Sequence, residues 1–134
     1  KEDEKIVEVI AGKYKKAEGP EKNHNIDPVY FHIVLNQGKE FTCKVPEGHN
    51  SFIYLLKGEL KIGEKDHSKT SNSNLILLER GNKLMVKANE KTEFLYIAGK
   101  PIGEPIARGG PFVMNTKAEI LQAVQDYHSG TFVK

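Results

Sequence analysis

Cys43 and the five histidines are the side chains in this sequence most able to attack a substrate or hold a transition metal. Cys43 falls on the Phe41, Cys43, Val45 side of an alternating segment, where a small buried hydrophobe is expected. No histidine stands in a recognisable relation to it as a base. A single cysteine forms no internal disulfide, which suits a reducing compartment without excluding others. His24, His67 and His128 lie in loop-like stretches or at a helix end and are expected to be solvated. His32 sits within a strand pattern, as a satisfied or partly exposed ring. No serine, histidine and acid grouping and no phosphate-cradling glycine loop stands out, so no catalytic residue is expected. Glu104 and Arg108 could pair with a partner surface, although exposed charges so placed contribute little.

The frame that must position these groups is mostly strand. Val7, Val9 and Ala11 share one side near the start, and Val29, Phe31, Ile33 and Leu35 alternate with Tyr30, His32 and Val34. Further apolar runs cover 41–45, 52–56, 59–62, 75–79, 84–87 and 94–98, divided by glycine-bearing or polar turns. About eight short strands imply a barrel or sandwich. Its interior is expected to be filled by alternating residues of the Phe31, Cys43, Phe52, Leu77 and Phe94 strands. Residues 13–28 and 63–74 read as irregular, the second as a mobile hairpin loop. Pro101, Pro105 and Pro111 deny the 99–115 segment regular ladders. Thr116 and Glu119 have capping-box spacing and Gly130 suits the end of a helix, so one helix is predicted from about 117 to 128. Ile120, Val124 and Tyr127 share a face of it.

The 134 residues suit a single domain, 1–134, with strands over 1–98, an extended segment over 99–115 and the helical segment 116–130. Apolar residues at 38% and charged residues at 28% are ordinary for a chain that packs a core. Twenty basic against 18 acidic residues leave +2, and the lysines are scattered, so direct nucleic-acid binding is not expected. The longest apolar run, Phe52 to Leu56, falls far short of the roughly 20 residues that cross a bilayer, and no secretory segment opens the chain. An intracellular location, cytoplasmic or nuclear, is expected. Lys1 in place of Met points to processing, excision or truncation.

Two stretches resemble a known family. HNSFIYLLKGELKIG, from His49 to Gly63, is similar to the strand, turn and strand of cupins. AGKPIGEPIARGGPFVMNTKAEILQAVQDY, from Ala98 to Tyr127, resembles the C-terminal half of pirins, with its GKPIGEPI run, GPFVMNT and a capped helix. The opening IVEVIAGKYKKAEGP also looks like the start of that domain, so the resemblance covers nearly the whole chain. It implies an all-β fold, an antiparallel cupin (jelly-roll) β-barrel with one C-terminal α-helix. Pirins hold two cupin domains in tandem with a non-haem iron in the N-terminal one. Members are described as nuclear transcriptional cofactors or as quercetin 2,3-dioxygenases.

The same resemblance allows a metal test. In metal-binding cupins two histidines one residue apart, then a glutamate four further on, precede the strand and glycine turn that here read Tyr54 to Gly58. Counting back places those positions at Lys44, Pro46 and Asn50: an ammonium, no donor atom and a weak amide. The last histidine belongs near Glu93 or Phe94, and none lies between His67 and His128. No metal or other cofactor is expected in this chain, and iron only in an N-terminal pirin domain. His49, one residue off a ligand position near the expected barrel mouth, is either a turn histidine or a polar contact to a ligand. With Lys44 and Asn50 it forms the candidate cavity set.

The leading reading is a metal-free structural and interaction domain, the C-terminal half of a bicupin. One alternative is part of an iron-dependent quercetin 2,3-dioxygenase-like enzyme whose chemistry lies outside this chain. Another is a small-molecule-binding cupin module. Ile102, Ile106, Phe112 and Val113, with Ile120, Val124 and Tyr127, offer more apolar surface than the end of one small barrel covers. They are the interface candidates, facing either the N-terminal cupin domain of a parent protein or a homodimer mate. The bland alternative is that both segments fold over their own barrel.

Overall fold

A computed structural model of the chain describes residues 5–22, 25–64 and 69–133. It divides into two compact units, Lys1–Pro101 and Ile102–Lys134. In chain order the first unit's strands begin with β1 (Lys5–Ala11), β2 (Lys13–Tyr14), β3 (Ala17–Glu18), β4 (Val29–Leu35), β5 (Glu40–Lys44) and β6 (Asn50–Lys57). They continue with β7 (Leu60–Ile62), β8 (Lys69–Ser71), β9 (Leu75–Leu77), β10 (Lys83–Ala88) and β11 (Thr92–Gly99).

Period-two patterning becomes two sheets. One runs β1-β4-β11-β6-β9, the other β5-β10-β7-β8, and β2 and β3 form a separate ribbon. Every strand pairing is antiparallel. Among the described residues neither sheet closes on itself. Both donate their inner faces to one core: Phe31, Ile33 and Leu35 of β4, Phe41 and Cys43 of β5, and Phe94, Tyr96 and Ala98 of β11 all belong to it. Phe31 lies 6.4 Å from Phe41 and 6.0 Å from Tyr96 between ring centroids, and Phe41 lies 6.2 Å from Phe94. Such edge and tilted contacts add to what area burial contributes.

The strands of Phe52 and Leu77 do supply the interior, through Ile53, Leu55 and Ile76, with Phe52 and Leu77 themselves on the other face and Leu77 77% exposed. Two expectations need correction. The 13–28 stretch holds the β2 and β3 ribbon. The 63–74 tract contributes β8, which pairs with β7, while its residues 65–68 lie outside the described residues.

The β6–β7 turn shows why the strand, turn and strand motif needs its glycine. Gly58 has φ +92°, and a Cβ there would collide with Thr92 Oγ1 and the Lys91 carbonyl. Thr92, fully buried, accepts from the Glu59 N–H (3.2 Å) and donates to the Glu90 carbonyl (2.8 Å), which ties β11 to this turn.

The second unit holds a hairpin and the helix. β12 (Ala107–Gly109) pairs with β13 (Phe112–Met114), so the proline-rich segment does form a short ladder, with Gly110 at φ +56° in the turn. The helix α1 (Lys117–His128) carries the full capping box: Thr116 Oγ1 accepts from the Glu119 N–H, and the Glu119 carboxylate accepts from the Thr116 N–H at 2.8 Å. The Thr116 hydroxyl, which also donates to Glu119 Oε2 at 3.0 Å, and then the Thr116 N–H hold the Glu119 carboxyl below its ordinary pKa. Ile120 and Ala123 are the buried helix residues, and a Cβ on Gly109 would strike Ile120 Cγ2, so the glycine lets β12 lie directly on α1.

Candidate functional site

The side chains at the ends of β5, β6 and β11 decide what the interior of the first unit can do. Lys44 ends β5, Asn50 opens β6 and Pro46 lies between them; all three are exposed. The inward positions are Cys43, Val45 and Ser51, all buried. Counting along the motif therefore lands one residue away from the interior, and in a strand one residue exchanges the two faces. At the fourth position Phe94 is fully buried, while Glu93 faces away from the core toward His32.

His49 alone of the three cavity candidates turns inward, being 6% exposed. Its backbone N–H donates to the Pro46 carbonyl (3.2 Å), and its ring Nε2 lies 3.2 Å from the Asp27 carbonyl, where it donates. The ring thus ties the 46–49 turn to the loop before β4, and its Nδ1 is buried without a protein partner. Lys44 instead borders an open groove of about 600 Å³ with Thr42, Cys43, Val45, Asn82 and Lys83. The three candidates do not converge on one cavity among the described residues.

A different polar group was missed by sequence reading: Ser51 and Tyr96 beside Cys43. The Tyr96 hydroxyl is fully buried and near enough to Ser51 and Cys43 to feel both, without a hydrogen bond of good geometry to either. Burial pushes the Cys43 thiol up to about 11, and burial, with Cys43 next, raises the Tyr96 phenol. Both are protonated at neutral pH, so Cys43 is no nucleophile there. Alternation could have placed Ser51 and Tyr96 inside, since each shares its strand's inward phase.

His32 bridges three strands on the outer face. Its Nδ1 lies 2.8 Å from Glu8 Oε2 and its Nε2 2.7 Å from Glu93 Oε1. The Glu8 hydrogen bond, then that of Glu93 against partial desolvation, raises the imidazole pKa. Because its two nitrogens point to opposite sides, the three groups cannot converge on one ion. Among the described residues no three histidine, cysteine, aspartate or glutamate side chains are placed to hold a metal. The interior positions offer one thiol and one serine hydroxyl beside Val45 and Phe94, a poorer donor set for iron, nickel or manganese than imidazoles and a carboxylate. His24 and His67 lie outside the described residues, and His128 is exposed at the end of α1.

Of the interface candidates, Ile102, Ile106, Val113 and Tyr127 are exposed, and Val124 is half-buried. Phe112 is half-buried, its ring 6.2 Å from Tyr127 and 5.0 Å from Phe132. Ile120 is not available to a partner, because the hairpin of its own unit covers it. Glu104 accepts from the Asn115 side-chain amide at 2.9 Å. Among the described residues no helix is long and apolar enough to cross a membrane.

Two antiparallel sheets on one aromatic core, a glycine turn between β6 and β7 and a single capped helix define a cupin fold. The family model of the pirin C-terminal cupin domain matches residues 30–133, and the chain belongs to that family. It is 40% identical over 104 residues to a pirin-like protein of Solanum lycopersicum, covering 76% of this chain and 36% of that protein. It is 32% identical over 127 residues to a pirin-like protein of Caulobacter vibrioides, covering 94% of this chain and 45% of that protein. Among solved structures, a quercetin 2,3-dioxygenase from Acinetobacter baumannii is similar with TM-score 0.82 and 35% identity, over 98% of this chain and 45% of that one. The chain spans less than half the length of each.

Proposed function

We propose that this chain is a metal-free structural and interaction cupin domain, the C-terminal half of a pirin-like bicupin whose N-terminal domain would carry the iron. The two sheets are read as the walls of its jelly-roll barrel. The observation that carries the reading is chemical: the inward positions hold Cys43, Val45, Ser51 and Phe94 where metal-binding cupins present imidazoles and a carboxylate. Elemental analysis of the chain after incubation with iron, nickel or manganese and removal of free ion tests it. Metal at background is expected; a stoichiometric ion would overturn the reading.

A second reading takes the parent protein as a quercetin 2,3-dioxygenase, with the chemistry outside these residues. The similarity to the Acinetobacter baumannii protein favours it. This chain alone, supplied with ferrous iron and oxygen, is then expected not to consume quercetin. Turnover that requires iron and scales with the chain would place the chemistry here.

A further inference from the structure

The outer face of the four-stranded sheet carries charge that the fold leaves unbalanced. Lys44 of β5 and Lys83 of β10 are register partners, so two exposed ammonium side chains stand directly opposite each other. Like charges so placed destabilise a sheet. β5 is an edge strand and β7 pairs with β10 only over 86–88, so no third strand brings a carboxylate to this row. Further along the same face Lys87 stands opposite Lys61 but also opposite Glu40, so that row does hold an acid. Among the described residues neither Lys44 nor Lys83 has an ion-pair partner.

The pair borders a groove rather than flat surface. Lys44 and Lys83, with Thr42, Cys43, Val45 and Asn82, line about 600 Å³, within the roughly 300–1,000 Å³ of small-molecule sites. The Val45 N–H donates to the Asn82 carbonyl (2.9 Å), which ties the loop before β10 to the end of β5. The lining therefore combines two cations, a hydroxyl and an amide with the apolar Val45 and the thiol of Cys43, and no acid.

We propose that this groove binds a small phosphate monoester, its dianionic head held by Lys44 and Lys83. Such a head carries about −1.5 to −2 charges at neutral pH and matches two ammonium groups, whereas a monocarboxylate leaves one of them unmatched. Lysine serves a phosphate as a point charge, and Thr42 and Asn82 add neutral donors. The site gives the domain a ligand of its own, which the structural and interaction reading does not include.

Amide NMR of the 134-residue chain, titrated with phenyl phosphate at neutral pH, constant ionic strength and in the presence of a chelator, tests it. Saturable shifts centred on 42–45 and 82–83 are expected, with inorganic phosphate moving the same amides and acetate binding several-fold more weakly. Lys44→Gln and Lys83→Gln should each weaken phenyl phosphate binding by about fivefold or more. Lys61→Gln removes the same charge from the same face outside this groove and should leave binding unchanged. Lys44 and Lys83 are exposed, so both variants should stay folded, which their amide spectra report directly. Shifts that fail to saturate, that sodium chloride reproduces or that survive both groove variants would overturn the proposal. Acetate binding as tightly as phosphate, or equal weakening by Lys61→Gln, would do the same. With metal chelated, the result is independent of the metal content that tests the metal-free reading.

Discussion

His32 shows how a residue that is ordinary in sequence acquires a role through pairing. Its carboxylate partners lie 24 and 61 positions away, so no local pattern announces them. With both nitrogens engaged, the folded state raises its pKa above the usual 6.5. A group so shifted contributes stability that is full below the unfolded value and is lost as pH rises through the folded one. The stability difference between the wild type and His32→Gln should therefore be larger near pH 6 than near pH 8, and modest because Glu8 and Glu93 are exposed to water. Urea titrations at the two pH values measure it. A difference that grows with pH would reverse the sign and sink the account.

Tyr96 is the opposite case, a residue whose polar atom gains nothing from its site. Its hydroxyl is buried with no hydrogen bond of good geometry, and desolvating such a group without compensation costs about 1–3 kcal/mol. Tyr96→Phe should leave the thermal midpoint unchanged or raise it. A loss of more than about 1 kcal/mol would mean that the hydroxyl is satisfied, by water or by Ser51.

Among the elements, the helix was the most legible in sequence because its signals are local. Thr116, Glu119 and Gly130 mark its ends within a few residues, and α1 runs Lys117–His128. Thr116→Ala removes the acceptor for the Glu119 N–H and should cost roughly 1 kcal/mol of stability. A fully unaffected midpoint would show that the second unit does not limit thermal unfolding. The strands were legible as strands, but their facing near the candidate site was not. A turn such as 46–49 need not conserve the count between motif and interior, and Lys44, Pro46 and Asn50 lie one residue from the buried Cys43, Val45 and Ser51. That offset makes a prediction. Cys43→His, Val45→His and Ser51→Glu together place ligands on the inward phase and should gain affinity for a divalent transition metal, whereas Lys44→His, Pro46→His and Asn50→Glu should not. Calorimetric titration with nickel compares them, and equal binding by the two triples would remove the register argument.

At the scale of the whole molecule, period-two alternation identified which strands exist and which residues of β4, β5 and β11 point inward, but not that the opposite face would also be apolar. The sequence carried a hint in the unbroken Phe52 to Leu56 run, since a strand wet on one side alternates. Length alone made that run look like evidence against a membrane span, and its second meaning depended on which strands flank β6. Those flanks are β11 and β9, reached through long connections, and they align Ile97 and Leu77 with Phe52.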